Sequence, residues 1–137
     1  VSEVFIDTAA WLALLNQSDS FHQQAKEIEQ SLKANKRRWV TTDFILIEIA
    51  DALCQISQRS QTAKLIKNLK NLKSIIVIEL DQELLQQGLE LYESRLDKNW
   101  GLTDCISFVV MQRREITEAF TCDQHFEQAG FIRLMKP

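Results

Sequence analysis

The feature that most constrains this chain is the regular alternation of two hydrophobic periodicities. SIIVIEL (74–80) is short, β-branched and apolar at successive positions, which reads as a strand buried on both faces. VSEVFID (1–7), RRWVTT (37–42), EAFTC (118–122) and FIRLM (131–135) are further strand-like runs, each separated from the next by helical patterns. Strands of this kind, joined through helices, predict a parallel sheet covered on both sides. In such sheets ligands bind at the carboxyl ends of the strands.

Helices are expected over 9–16, capped by Thr8, and over 21–36, capped by Ser20. Two more should run over 43–59 and 61–73, and Asp81 opens a long one to about residue 97. Thr103 is the expected cap of a helix over 104–114, and a short helix over 123–129 ends at Gly130. The single proline is the last residue and there are three glycines, so no linker interrupts what reads as one domain over 1–137. With 45% hydrophobic and 26% charged residues, the composition is that of a soluble globular protein. No apolar run reaches the roughly 20 residues of a membrane span. Cys54, Cys105 and Cys122 sit in apolar helix or strand contexts and read as packed thiols of a cytoplasmic protein. His22 and His125 lack ligand spacing and read as surface residues.

The carboxylates carry the chemical signal. Asp7 ends the first strand, where it serves equally as a helix-capping acid. Asp104 heads LTDCISFVVMQ, among Cys105, Ile106, Phe108, Val109, Val110 and Met111, where a purely solvated acid is out of place. A helix over 104–114 spans roughly 16 Å. The following strand returns about as far, so Asp123 lands at the same end of the sheet. Glu48 interrupts FILIEIA (44–50), with Asp43 and Asp51 as rivals for its place. Two carboxylates about 4 Å apart repel by ~4 kcal/mol at an effective dielectric near 20, so four in one cleft need a counter-charge. Oxygen-only ligands select hard cations such as Mg²⁺ or Mn²⁺. Phosphodiester hydrolysis is the chemistry that uses such a site.

VFIDTAAWLALL, TTDFILIEIADAL, LTDCISFVVMQ and FTCDQHFEQAGF, in this order and spacing, resemble the PIN-domain ribonucleases, especially the VapC-like toxins of bacterial toxin–antitoxin pairs. The resemblance covers nearly the whole chain. It implies a three-layer α/β/α sandwich and a metal-dependent endoribonuclease using one or two Mg²⁺ or Mn²⁺ ions. It places the acidic quartet on Asp7, Glu48, Asp104 and Asp123, choosing Glu48 over Asp43 and Asp51. Thr103 and Thr121 are implied as supporting hydroxyls. A cognate antitoxin whose segment occupies the site, and a homodimer, are the implied partners.

An RNA substrate needs cations nearby. The net charge is −3, and setting aside the quartet leaves the remainder close to neutral. KLIKNLKNLK repeats lysine at every third position through Lys64, Lys67, Lys70 and Lys73, a band that slopes by ~60° per step on a helix. Lys64 and Lys67 are the candidates for substrate contact. The pairs Arg37/Arg38 and Arg113/Arg114 fall at the opposite end from the acids. Trp11 and Trp39 read as core, whereas Trp100, just before Asp104, is a candidate for base stacking. Two other classes compete. An aspartate-nucleophile phosphotransferase wants a second acid two residues after Asp7, where Ala9 stands, and a receiver-like domain wants an acidic pair at that strand end. The non-enzyme alternative is a partner-binding module whose acids are caps and solvated faces.

Overall fold

The computed structural model describes residues 2–137. Its centre is a five-stranded, all-parallel sheet in the order β3-β2-β1-β4-β5. β1 (Glu3–Ile6) is the middle strand, flanked by β2 (Arg38–Thr42) and β4 (Glu118–Phe120), with β3 (Ile75–Ile78) and β5 (Ile132–Arg133) at the edges. Register places Phe5 against both Val40 and Ala119. The chain builds outward from β1 through β2 to β3, then crosses back and builds the other way through β4 to β5. The order therefore reverses between β1 and β4. The crevice beyond their carboxyl ends is where a sheet of this topology binds ligands.

Right-handed crossovers put α1 (Thr8–Leu15), α2 (His22–Ala34), α3 (Asp43–Ala52) and α4 (Ile56–Asn71) on one face. They put α5 (Gln82–Ser94), α6 (Leu102–Arg113) and α7 (Gln124–Gln128) on the other. Helix contacts run within each set: α1 with α2 and α3, α3 with α4, α6 with α5 and α7. The result is the three-layer α/β/α sandwich expected from the alternating pattern.

Each face has its own aromatic cluster, because side chains alternate along a strand. Phe120 meets Trp39 edge-on at 6.0 Å, and Trp39 meets Trp11 at 5.6 Å, under the first four helices. On the other face Phe126 lies 6.2 Å from Phe5 and 5.0 Å from Phe108. Helix α6 is buried without a break from Cys105 to Met111. It lies so close to α5 that a Cβ at Gly88 would fall 2.5 Å from Ile106 Cγ1.

Several local expectations are corrected. The helix expected over 43–59 ends at Ala52, and the next starts at Ile56 rather than 61. A straight helix over 43–59 would run about 25 Å, well past strands of roughly 17 Å, so the chain turns back through extended Gln55. Thr8 lies inside α1, whose N-cap is Asp7. α2 starts after Phe21, whose N–H is accepted by Asp19 Oδ1 at 2.8 Å, so Ser20 is not its cap. α6 is capped by Gly101, which moves Thr103 from the cap into the first turn.

Candidate active site

Asp7 follows β1 at the point where the strand order reverses. Its backbone N–H is held by Phe120 O at 3.1 Å, so the end of β1 is tied to the end of β4. The side chain is 7% exposed, and Thr121 Oγ1 donates to its Oδ2 at 2.7 Å. Burial pushes its pKa up to about 7; the Thr121 hydroxyl and the Thr8 amide oppose the rise, and the charges of Asp104 and Glu48 add to it. Asp104 and Glu48 thus stand near enough for their charges to be felt at Asp7.

Glu48 sits on α3, where Thr8 Oγ1 donates to its Oε1 at 2.5 Å. The rivals go elsewhere. Asp43 is engaged by Lys70 at 2.7 Å and by the Leu80 N–H at 3.2 Å, while Asp51 is exposed.

Asp104 lies in the first turn of α6. Its Oδ2 accepts the Gly101 N–H at 3.0 Å, so it does cap its helix, and the same oxygen lies 3.2 Å from His125 Nδ1. Its pKa is raised, chiefly by burial and then by the charge of Asp123, against the lowering effect of the Gly101 N–H and His125. Asp123 is the N-cap of α7: its Oδ1 accepts the His125 N–H at 2.9 Å and stands 3.4 Å from His125 Nδ1. Its own N–H donates to Thr121 Oγ1 at 3.1 Å. The Thr121 hydroxyl, buried, thus donates to Asp7 and accepts from Asp123.

Donor atoms of Asp104, Asp123 and His125 lie within 4.8 Å of one another. This corrects the reading of His125 as a surface residue. Nδ1 of the imidazole faces both aspartates, and wherever those carboxylates are ionised, and so only accept, the proton belongs on that nitrogen. The signal was the two-residue spacing from Asp123: the first turn of α7 folds His125 back over its own cap.

Electrostatics decide what this cluster can hold. Among the described residues no lysine or arginine forms an ion pair with Asp7, Glu48, Asp104 or Asp123. In Glu48, Asp104 and Asp123 a single oxygen takes the hydrogen bonds described, leaving the other for a ligand. Carboxylate oxygens in an inward-facing, partly desolvated group with no Lys or Arg counter-charge fit a hard divalent cation.

Other expected contacts are not gathered here. Trp100 is 6% exposed, packs edge-on against Phe108 at 5.0 Å, lies under the Arg95 guanidinium at 4.7 Å, and donates its indole N–H to Gln128 Oε1 at 3.0 Å. Those contacts leave no face for a base, and the stacking role is withdrawn. Thr103 hydrogen-bonds through its carbonyl, to Ser107 Oγ at 3.0 Å. Lys64 and Lys67 are exposed on α4 and share no ion pair or hydrogen bond with the quartet. Thr8, read as a cap, is instead the hydroxyl that orients Glu48.

Residues 4–132 match the PIN domain family. The chain is 29% identical over 133 residues to the Mycobacterium tuberculosis protein named 23S rRNA-specific endonuclease VapC20, covering 96% of this chain and 97% of that one. The crystal structure of M. tuberculosis VapC20, described as a sarcin-ricin loop cleaving toxin, superposes with a TM-score of 0.81 at 26% identity, covering 94% of this chain and 96% of that one. A toxin–antitoxin complex from Klebsiella pneumoniae (TM-score 0.67, 17% identity, 98% and 99% covered) shares the fold. So does FitAcB from Neisseria gonorrhoeae (0.65, 13% identity, 94% of each). With the acids gathered where the strand order reverses and the family match running from β1 into β5, this chain belongs to the PIN domain family.

Proposed function

We propose that this protein is a Mg²⁺- or Mn²⁺-dependent endoribonuclease, the toxin of a toxin–antitoxin pair acting in the cytoplasm. The observation that carries the reading is the group of carboxylates without a Lys or Arg counter-ion at the β1/β4 crevice. Asp7, Glu48, Asp104 and Asp123 would hold one or two ions, with Thr8, Thr121 and His125 fixing carboxylate orientation. The cation supplies a lowered pKa for the attacking water and charge neutralisation on the phosphate. The side chains keep the acids at fixed spacing before substrate arrives, so reorganisation during the reaction is small.

The likeness to VapC20 makes a loop of large-subunit ribosomal RNA the first substrate to test. A cognate antitoxin that covers the acids, and a homodimer, complete the reading. The test is Asp104→Asn. It should abolish RNA cleavage while leaving the metal-free protein as stable as wild type or more so, because it relieves repulsion. Wild type should melt at higher temperature with Mn²⁺. An Asp104→Asn protein that unfolds, together with a wild type indifferent to metal, would return Asp104 to the role of a helix cap.

A further inference from the structure

The acids are tied to the last strand through a single peptide group, the one joining Cys122 to Asp123. Both of its polar ends have partners. The Asp123 N–H donates to Thr121 Oγ1 at 3.1 Å, and Arg133 Nη1 donates to the Cys122 carbonyl at 2.9 Å. Thr121 Oγ1 in turn donates to Asp7 Oδ2. On the far side Arg133 Nε donates to Glu127 Oε1 at 2.6 Å, on the short helix that Asp123 caps. An unbroken chain of hydrogen bonds therefore runs from Asp7, at the end of β1, through this peptide and the guanidinium to α7.

Arg133 is held firmly enough to act as a clamp. It pairs with Ala119 in the β4–β5 ladder, and its side chain is 15% exposed. Gly130, at φ 97°, makes the turn that returns the chain from α7 into β5. Among the described residues Arg133 is the one lysine or arginine that hydrogen-bonds a sequence neighbour of a quartet acid. Its charge alone works against a divalent cation at the acids, and the Glu127 ion pair offsets that repulsion. What remains is geometry. The planar guanidinium spans two acceptors in fixed directions, which the single nitrogen of a lysine does not. The peptide moves as a rigid plane, so turning it changes φ of Asp123 and with it the direction of the carboxylate.

We propose that Arg133 is a positioning residue for the metal site. By clamping the 122–123 peptide it fixes the direction in which Asp123 presents Oδ2, the oxygen its cap bond leaves free, to the cation. This rests on the reading of the acids as a divalent-metal site. Arg133 acts through Asp123 and touches neither the ion nor the RNA.

The experiment titrates Mn²⁺ into the full chain and reads the free ion by electron paramagnetic resonance, for wild type, Arg133→Lys and Arg133→Gln. Lysine keeps the charge and loses the fork; glutamine loses both. Each variant should bind Mn²⁺ about tenfold more weakly, the usual cost of disturbing a group that orients a metal ligand. With RNA, kcat at limiting Mn²⁺ should fall and recover at saturating Mn²⁺, while KM for RNA stays at the wild-type value. Circular dichroism checks the fold, and Arg133→Lys decides the matter should the glutamine variant not fold. An Arg133→Lys protein that binds Mn²⁺ as tightly as wild type overturns the inference, since charge alone would then suffice. So does an Arg133→Gln protein with tighter Mn²⁺ binding and a raised KM, which would make Arg133 a phosphate contact. A wild type that takes up no Mn²⁺ overturns the metal reading and the clamp together, whereas tight wild-type binding beside an unaltered lysine variant sinks only the clamp.

Discussion

Thr8 Oγ1 donates to Glu48 Oε1 at 2.5 Å, joining the first turn of α1 to α3 across forty residues of chain. Without that bond Glu48 is one flexible side chain among the acids. Thr8→Val keeps the shape and removes the donor. Cleavage should fall by ~10- to 100-fold, since small misplacements in an active site cost that much. Stability should fall by only ~1 kcal/mol. Thr8→Ser should restore most of the rate. Steady-state kinetics beside thermal melts would check this, and equal losses in both variants would mean that the hydroxyl does not orient Glu48.

The raised pKa values of Asp7 and Asp104 set a pH dependence. Aspartate in an unfolded chain titrates near 4, whereas burial pushes Asp7 to about 7 and raises Asp104 in the same direction. A carboxyl whose folded pKa exceeds its unfolded one gives stability that is complete below pH ~4 and is lost as pH climbs through about 7. Metal-free protein should therefore become less stable between pH ~4 and ~7, by up to about 4 kcal/mol from Asp7. Glu3, lowered by the Arg114 hydrogen bond, works in the opposite direction at lower pH, so the comparison must be with Asp7→Asn. That variant should flatten the decline. Mn²⁺ should stabilise wild type more at pH 7 than at pH 5, because protons compete for the same oxygens. Chemical denaturation across this range in chelator measures the slope, and parallel wild-type and Asp7→Asn curves would contradict it.

Gly88 is required by packing. Alanine there would set its methyl 2.5 Å from Ile106 Cγ1, against a helix that is buried along its whole middle. Gly88→Ala should cost ~1–3 kcal/mol by overpacking, despite its better helix propensity. Ile106→Ala removes the clashing carbon, so the double variant should lose less than the two single losses added together. Urea titrations of the four proteins would show the coupling.

Trp100 holds the loop before α6 in place. Trp100→Ala should lower stability by ~3–5 kcal/mol, through loss of the Phe108 and Arg95 contacts and the Gln128 hydrogen bond. Trp100→Phe should recover much of the packing and retain RNA affinity. Weakened RNA binding in a stably folded Trp100→Phe protein would reinstate the stacking role.

What the amino-acid order reveals here follows the range of the forces involved. Continuous apolar strands such as IIVI, separated by helices, disclose the parallel sheet, because burial on two faces leaves no polar alternation. Asp104 stands out because most of the helix that follows it, Cys105, Ile106 and Phe108 to Met111, is apolar. The break between α3 and α4 was misplaced, since no proline or glycine marks it and the turn answers to strand length. Thr103 resembled a cap by residue type, yet Gly101 supplies the extended backbone that starts α6. His125 and Thr8 went unrecognised because their roles depend on partners brought near by the sheet, Asp104 from another helix and Glu48 from the far end of a crossover. The family likeness supplied Glu48; periodicity had left three acids eligible.

The hydroxyl of Thr121 reaches one acid in each direction, and the two acids belong to neighbouring strands. A slide of β4 along β1 would carry Thr121 and Asp123 together and strain the one bond that reaches Asp7, so the pairing of Ile6 with Phe120 works as a gauge block for the pocket. Substitutions deep in the sheet, far from any substrate, will therefore be felt as errors of spacing at the acids well before they are felt as unfolding.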